Sequence, residues 1–417
     1  MNIKKLTFII AGITILVLVC LIINIYYYTK TNPNLPVTET KSNESTNPEL
    51  NEKQQQEADL DFTEKLIEAS STGKFNFFDI AEEIVLNIKN KPFSKEIYQR
   101  SYLLWGRLKK TQAGVERDIE KRSKLNDEAL DILYKFIAEN KDYVRLVDAK
   151  FEVAELLIIN KGFSNSYQLK LETNPIKRQN LIQQSETAFK QASEYLSEMI
   201  LYYQKILLDN DNDPLKKEEI ENIVSKALYF QGIDYYYWGI LYGKTEENRK
   251  KYLQESIKIL NKLITRYGEQ ISSYEAANYV GICYMELDNY LFAKKYFLIS
   301  SSLYDSAMKD PDKSKKEKAE IIEDQRDIIQ QGYTRLAMIA NATQKYNQSI
   351  QIIDNLFEIF PNDKFDEWME RGILEKATAL FYTNAKDKAL SMIQEIIDTT
   401  KDSSVRARAK DILNSLK

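Results

Sequence analysis

Beyond Leu60, apolar residues recur at three- and four-residue intervals almost without interruption. One example is Ile257, Leu260, Leu263, Ile264 and Tyr267, a stripe along one face of a helix. Strand-like alternation is nowhere sustained. Between these stretches lie stop and start signals: Tyr267-Gly268 ends one helix, Asp213-Pro214 opens another with an N-cap and a proline at the first helical position, and Phe360-Pro361 closes a third. The pattern predicts an all-α chain of helix-turn-helix units.

Two N-terminal stretches depart from it. Residues 6–28, LTFIIAGITILVLVCLIINIYYY, carry no charge over 23 residues, enough to cross a hydrocarbon core of about 30 Å. The run exceeds the apolar region of a cleaved signal peptide, and no A-x-A-like site follows it, so it reads as an uncleaved single-pass anchor. Tyr26, Tyr27 and Tyr28 fall where an interfacial aromatic belt would sit. Lys4 and Lys5, in the short tail 1–5, precede the span and only Lys30 follows closely, which places the N-terminus inside and the domain outside the cytoplasm. Residues 29–59 are rich in Thr, Asn, Pro, Ser, Glu and Gln and cannot bury enough apolar surface to offset their ordering entropy; they read as a disordered linker.

Composition narrows the function. With 12 glycines and 8 prolines in 417 residues, the chain lacks the turn residues of a sandwich, a barrel or a doubly wound sheet. The absence of histidine excludes Ser-His-Asp triads and histidine zinc sites. Cys20 and Cys283 provide no disulfide framework, since the first lies within the apolar span. The net charge of −4, with no acidic residue before Glu39, leaves an acidic domain without the basic stripe that nucleic acid requires. Gly239 to Thr245 is one residue short between its glycines for a phosphate loop and follows a helix rather than a strand, so no nucleotide is expected. Asp209 to Asp213 opens like a calcium loop but continues with Pro214 and places Ile220 where glutamate is required. Carboxylate pairs such as Glu82-Glu83 are what solvated helix faces contain. No catalytic residue, metal site or cofactor is predicted, and the chain is read as a non-enzyme.

Internal repetition supplies a positive identification. In YVGICYMELDNYLFAKKYF (279–297), Val280-Gly281 and Tyr284 precede Tyr290, Ala293 and Phe297. This resembles the tetratricopeptide repeat, with L-G-x2-Y in a first helix and A-x3-F in a second; the best-matching unit is 273–306. Leu336-Ala337 with Tyr346, Ser349 and Ile353, and Lys376-Ala377 with Leu380, Ala389 and Ile393, repeat the spacing at longer intervals. Those intervals suggest lengthened helices, chiefly through the charged stretch 309–327. The expected organisation is divergent helical hairpins over 60–210, tetratricopeptide-like repeats over 211–402 and a capping helix over 403–417. The resemblance implies a right-handed α-α superhelix, a solenoid, behind one N-terminal transmembrane helix.

It also implies where partners bind. In this family the first helix of each hairpin lines a concave face, which here would hold Tyr229, Ile233, Tyr236, Glu275, Asn278, Ile282, Thr334, Met338 and Arg371. Where part of the family grips acidic chaperone tails with clustered Lys, Arg and Asn, the corresponding places here hold Asn278, Ile282, Arg335, Arg371 and Glu375, so most of that clamp is missing and a chaperone C-terminus is not the expected partner. The aromatic run Tyr229, Tyr235, Tyr236, Tyr237, Trp238 and Tyr242 wraps around most of a helix, so it cannot all face one neighbour; interhelical packing and a partner patch both remain open. The functional expectation is a membrane-anchored scaffold for proteins or peptides, of the kind found beside translocases and envelope-assembly machines. An enzyme or ligand carrier with an inter-helical site of Tyr, Lys and Glu is the alternative.

Overall fold

The computed structural model describes residues 48–73, 75–209, 214–268, 270–361 and 366–416. The tail 1–5, the apolar span 6–28 and the linker up to residue 47 lie outside the described residues. Among the described residues there is no strand, and no helix is long and apolar enough to cross a membrane.

The helices are α1 (Pro48–Ser71), α2 (Phe78–Asn90), α3 (Lys95–Val115), α4 (Ile119–Glu139), α5 (Leu146–Leu156), a π-helical segment (Leu157–Phe163), α6 (Ser164–Leu171), α7 (Pro175–Asp209) and α8 (Pro214–Ile240). They continue with α9 (Glu247–Tyr267), α10 (Ile271–Glu286), α11 (Tyr290–Ser301), α12 (Leu303–Lys309), α13 (Lys315–Asp324), α14 (Arg326–Ala342), α15 (Tyr346–Ile359), α16 (Glu367–Tyr382), α17 (Lys386–Thr399) and α18 (Ser403–Leu416). Residues 56–417 form one compact unit in which each helix packs mainly on its neighbours in sequence. From α8 onward they pair as hairpins: α8 with α9, α10 with α11, α14 with α15 and α16 with α17. The first helices α8, α10, α14 and α16 lie side by side, and each second helix touches the first helix of the next pair.

The repetition found in the sequence is visible in the turns. Asp288, Gln344 and Asn384 have φ of 55°, 58° and 69°, and each lies the same distance after the small residues Gly281, Ala337 and Ala377. After each, the next backbone N–H closes on the carbonyl of the preceding helix: Asn289 on Tyr284 (2.8 Å), Lys345 on Ala340 (2.7 Å) and Ala385 on Leu380 (3.0 Å). A left-handed residue followed by this long closure is the Schellman ending, and it reverses the chain into the second helix. The small residues permit close approach. A Cβ on Gly281 would lie 2.5 Å from the Phe297 ring, and one on Gly232 2.3 Å from Leu260, so both glycines are interhelical contacts rather than loop positions.

Two expectations need correction. Residues 48–59 are helical and do not belong to a disordered linker: Pro48 occupies the first helical position, and the Glu, Gln and Lys that follow are strong helix formers. The helix is then held by Leu60, Thr63, Leu66 and Ile67, all buried, while the Gln56 amide accepts from the Phe93 N–H (2.9 Å) and donates to the Lys91 carbonyl (3.1 Å). Low apolar content upstream concealed this because the anchoring residues all lie at the far end. The stretch 309–327 does not lengthen a helix of a hairpin either. It forms the separate helix α13, started by a capping box in which Ser314 and Glu317 satisfy each other's backbone N–H. Pro311 and this cap stop α12 and force a new start, so the longer repeat interval is an insertion between hairpins.

The core is serial. One apolar cluster spans α3 to α10 without a break at residue 210, another joins α1 to α3, a third links α10, α12, α14, α15 and α16, and a fourth closes α16 to α18. Each hairpin thus buries its face only against the adjacent layers.

Candidate binding face on the first helices

The aromatic run of α8 divides between its two faces. Tyr235, Trp238 and Tyr242 stack on Tyr252 of α9 at ring distances of 6.2, 4.3 and 5.9 Å, and Trp238 also lies against Phe189 of α7. This half is interhelical packing. Tyr229, Tyr236 and Tyr237 point the other way, toward α10, where Tyr279 meets Tyr229 at 6.0 Å and Tyr236 at 5.5 Å, both edge to face. Tyr237 extends the row to the exposed Phe163 of the π-helical segment, at 5.4 Å. All four phenols are half-buried, and desolvation pushes their pKa values up, so they remain neutral donors at any physiological pH.

The row continues onto α14 and α16 through charge. Arg335 lies within cation–π distance of Phe297 and Trp368, at 5.7 and 4.8 Å, and Arg371 reaches the same indole at 5.4 Å. Arg335 donates through Nη1 to the side-chain carbonyl oxygens of Asn278 (2.7 Å) and Gln331 (3.0 Å), and Asn278 in turn donates to Gln331 (2.8 Å). Among the described residues no carboxylate pairs with Arg335. Desolvation, with repulsion from Arg371, lowers its pKa to about 10, whereas Arg371 has Glu367 (3.0 Å) and Ser404 (2.9 Å) as partners. Glu275, one turn from Asn278, is also half-buried, and desolvation raises its pKa.

Of the residues expected on this face, the structure brings Tyr229, Tyr236, Glu275, Asn278 and Arg371 into or beside the row. Ile233 and Thr334 are not available to a partner: Ile233 belongs to the apolar core, and Thr334 is fully buried with its hydroxyl donating to the Trp368 carbonyl (3.1 Å). Both lie on the strip of their helix that faces a neighbouring helix, a one-position rotation that family spacing alone cannot fix. Ile282 is half-buried among Ala293, Phe297, Leu336 and Ile339, hence largely an interhelical contact. Met338 is half-buried on α14. Tyr237, from the aromatic run, and Arg335, from the clamp places, also fall on the face, and Tyr279 and Trp368 extend it beyond the expected set; the i, i+4 spacing of Glu275 with Tyr279 was a signal that could have found the tyrosine.

An open cleft of about 660 Å³ elsewhere, between the α8–α9 and α10–α11 turns, is lined by Lys244, Glu246, Lys250, Tyr284, Glu286 and Asp288 among others. Its charges of both signs single out no acid–base pair. Among the described residues no group of three potential ligands could hold a metal ion.

No protein-family model matches the chain, and no curated protein matches it in sequence. Among solved structures it is similar to the apo form of RapI, at 12% identity over 87% of this chain and 97% of that one, with a TM-score of 0.42. It is also similar to yeast Tom70, at 11% identity over 87% and 96% of the two chains, with a TM-score of 0.17. Scores this low carry no argument of their own, and the architecture stands on the helix pairing and turn geometry described above.

Proposed function

We propose that the chain is a membrane-anchored scaffold of tetratricopeptide-like hairpins, a right-handed superhelix whose first helices collect proteins or peptides on a concave face. The observation that carries this reading is the row from Phe163 through Tyr237, Tyr236 and Tyr279 to Arg335, Trp368 and Arg371. It crosses five elements, stays partly open, and combines aromatic rings with a guanidinium that no carboxylate among the described residues neutralises. Aromatic residues and arginine are the side chains that dominate binding energy at protein interfaces. The apolar span 6–28 would hold the array at a membrane with its soluble part outside the cytoplasm, and residues 29–47 would give it reach. A subunit of a translocase or envelope-assembly complex fits this arrangement, and the scaffold performs no chemistry of its own.

The test is photocrosslinking in membranes. A crosslinking amino acid is placed at Met338 on the proposed face and, as a control, at the exposed Leu291 on α11. Discrete protein adducts from position 338 and not from 291 are expected. Adducts from neither position, or the same set from both, would remove the face from consideration.

A further inference from the structure

Exposed apolar side chains collect along one edge of the compact unit. The chain enters that unit at Gln56, whose side-chain amide is bonded to Lys91 and Phe93 of the α2–α3 turn. Lys95, at the start of α3, pairs with Asp142 of the α4–α5 turn, and Gln99 donates to the same carboxylate (3.5 Å). That turn is tied to α7, where the Tyr202 hydroxyl donates to the Val144 carbonyl (3.0 Å). These contacts set the entry point of the chain, both turns and the C-terminal part of α7 on one continuous edge. Along it Val144 is 78% exposed, Leu201 67% and Leu208 82%. Leu201, Lys205 and Leu208 fall at i, i+4 and i+7, a single stripe of α7 that is exposed at all three positions.

The charges beside these residues divide unevenly. Asp142, Asp148 and Glu198 are matched, by Lys95, by Arg145 (2.6 Å) and by Lys150. Lys91, Lys141 and Lys205 are exposed and have no carboxylate partner among the described residues. A protein partner needs a continuous, closely fitting surface. A bilayer interface accepts separate apolar tips, with lysine stems along the acyl boundary and their ammonium groups at the phosphates. The chain itself selects between these occupants. Residues 6–28 carry no charge, and only residues 29–55 separate them from Gln56, a span of at most about 95 Å however it is arranged. The edge that receives the chain is thus kept within reach of one bilayer. Docking there is an intramolecular step, at an effective concentration of up to the order of millimolar, for which a few apolar contacts suffice.

Resting on the anchored reading above, we propose that this edge is a membrane-docking face. Val144, Leu201 and Leu208 enter the interface of a phospholipid bilayer, and Lys141 and Lys205 meet its phosphates. Docked in this way, the array keeps one orientation to the membrane instead of swinging on its tether.

The experiment uses the full chain in phosphatidylcholine liposomes, with a photocrosslinking amino acid at Val144, Leu201 or Leu208. Equally exposed controls are Ile176, at the other end of α7, and Leu291 on α11. Lipid adducts, identified by mass, are expected at the three edge positions at roughly tenfold the yield of the controls. Leu201→Asp combined with Leu208→Asp should lower the lipid yield from Val144 roughly tenfold, and Lys205→Glu about fivefold. Circular dichroism verifies that each variant is helical; if the double variant loses its signal, Lys205→Glu decides. Flotation separates the two readings. A chain that does not float with the liposomes overturns the anchor and this proposal together. A chain that floats but gives equal lipid yields at edge and control positions, no lipid adduct at the edge, or crosslinks there to a second copy of itself overturns the docking face and leaves the anchor in place. An undiminished yield in a folded variant does the same.

Discussion

Asp234 offers a sharp test of how this array is built. It lies on α8 with no exposed surface, and neither carboxylate oxygen has a hydrogen-bond partner among the described residues. Desolvation alone raises its pKa well above the ordinary value of 3.8, so the folded protein keeps the acid neutral. A group whose folded-state pKa is raised contributes stability below its unfolded pKa and loses it as pH rises toward the folded one. In that window the loss amounts to about 1.4 kcal/mol per pH unit. As pH rises above the ordinary Asp range, wild type should therefore lose local stability around α8 for as long as the acid remains protonated. Asp234→Asn keeps the shape but removes the titration. It should match wild type or fall slightly below it at about pH 4.5, because the amide adds a second buried donor, and should exceed it clearly at pH 7.5. Because a serial array opens in parts, the assay is hydrogen exchange of the α8 amides, corrected for the intrinsic pH dependence of exchange. Parallel pH profiles for the two proteins would refute the reasoning.

Further outcomes follow from packing and charge. Gly281→Ala pushes a methyl into the Phe297 ring and should cost about 1 to 3 kcal/mol, lowering the thermal midpoint, with Gly114→Ala, where nothing lies within 4 Å, as the tolerated control. Lys110 sits between the buried Glu152 and Glu155; Lys110→Met leaves them with only their outer partners Arg107 and Lys226 and should destabilise α3 and α5 by about 3 to 5 kcal/mol in urea titrations. The depressed pKa of Glu152, set against desolvation by Lys110 and Arg107, means that wild type should also lose stability as pH falls below the ordinary glutamate range, a loss the methionine variant shows less. Cys283 is fully buried, and burial pushes its thiol up to about 12, so peptide mapping after maleimide treatment should find it unlabelled until denaturant is added.

The sequence was most legible where local chemistry acts alone. Gly268, at φ 46°, ends α9 as the Tyr267-Gly268 signal predicts, and Pro214 begins α8. The spacing of Gly281, Ala337 and Ala377 anticipated hairpins whose left-handed turn residues, none of them glycine, recur in step. What lay hidden depends on the third dimension. Whether Tyr236 or Tyr235 faces the next hairpin turns on a rotation of about 100° per residue, which periodicity cannot anchor when both neighbouring faces are aromatic. Arg335 falls among the clamp places in the sequence, but its amide and indole partners emerge only once α10 and α16 are set beside it. The π-helical segment has no local breaker to announce it; Gly162 lies against Phe189, where a Cβ would fall 2.0 Å from the ring.

The last helix touches the binding face only at its rim. Within its 14 residues, Ser404 accepts from Arg371, and Arg408 pairs with Glu375. Because the apolar cluster beneath α18 is confined to α16, α17 and α18, a protease that trims α18 removes these two contacts and exposes the α16–α17 pair, yet leaves Arg335, Asn278 and Gln331 as they are. Trimming at this end would thus free the Arg371 side chain from one of its two restraints and retune the edge of the site in a graded way, converting an end of the chain into a dial on affinity.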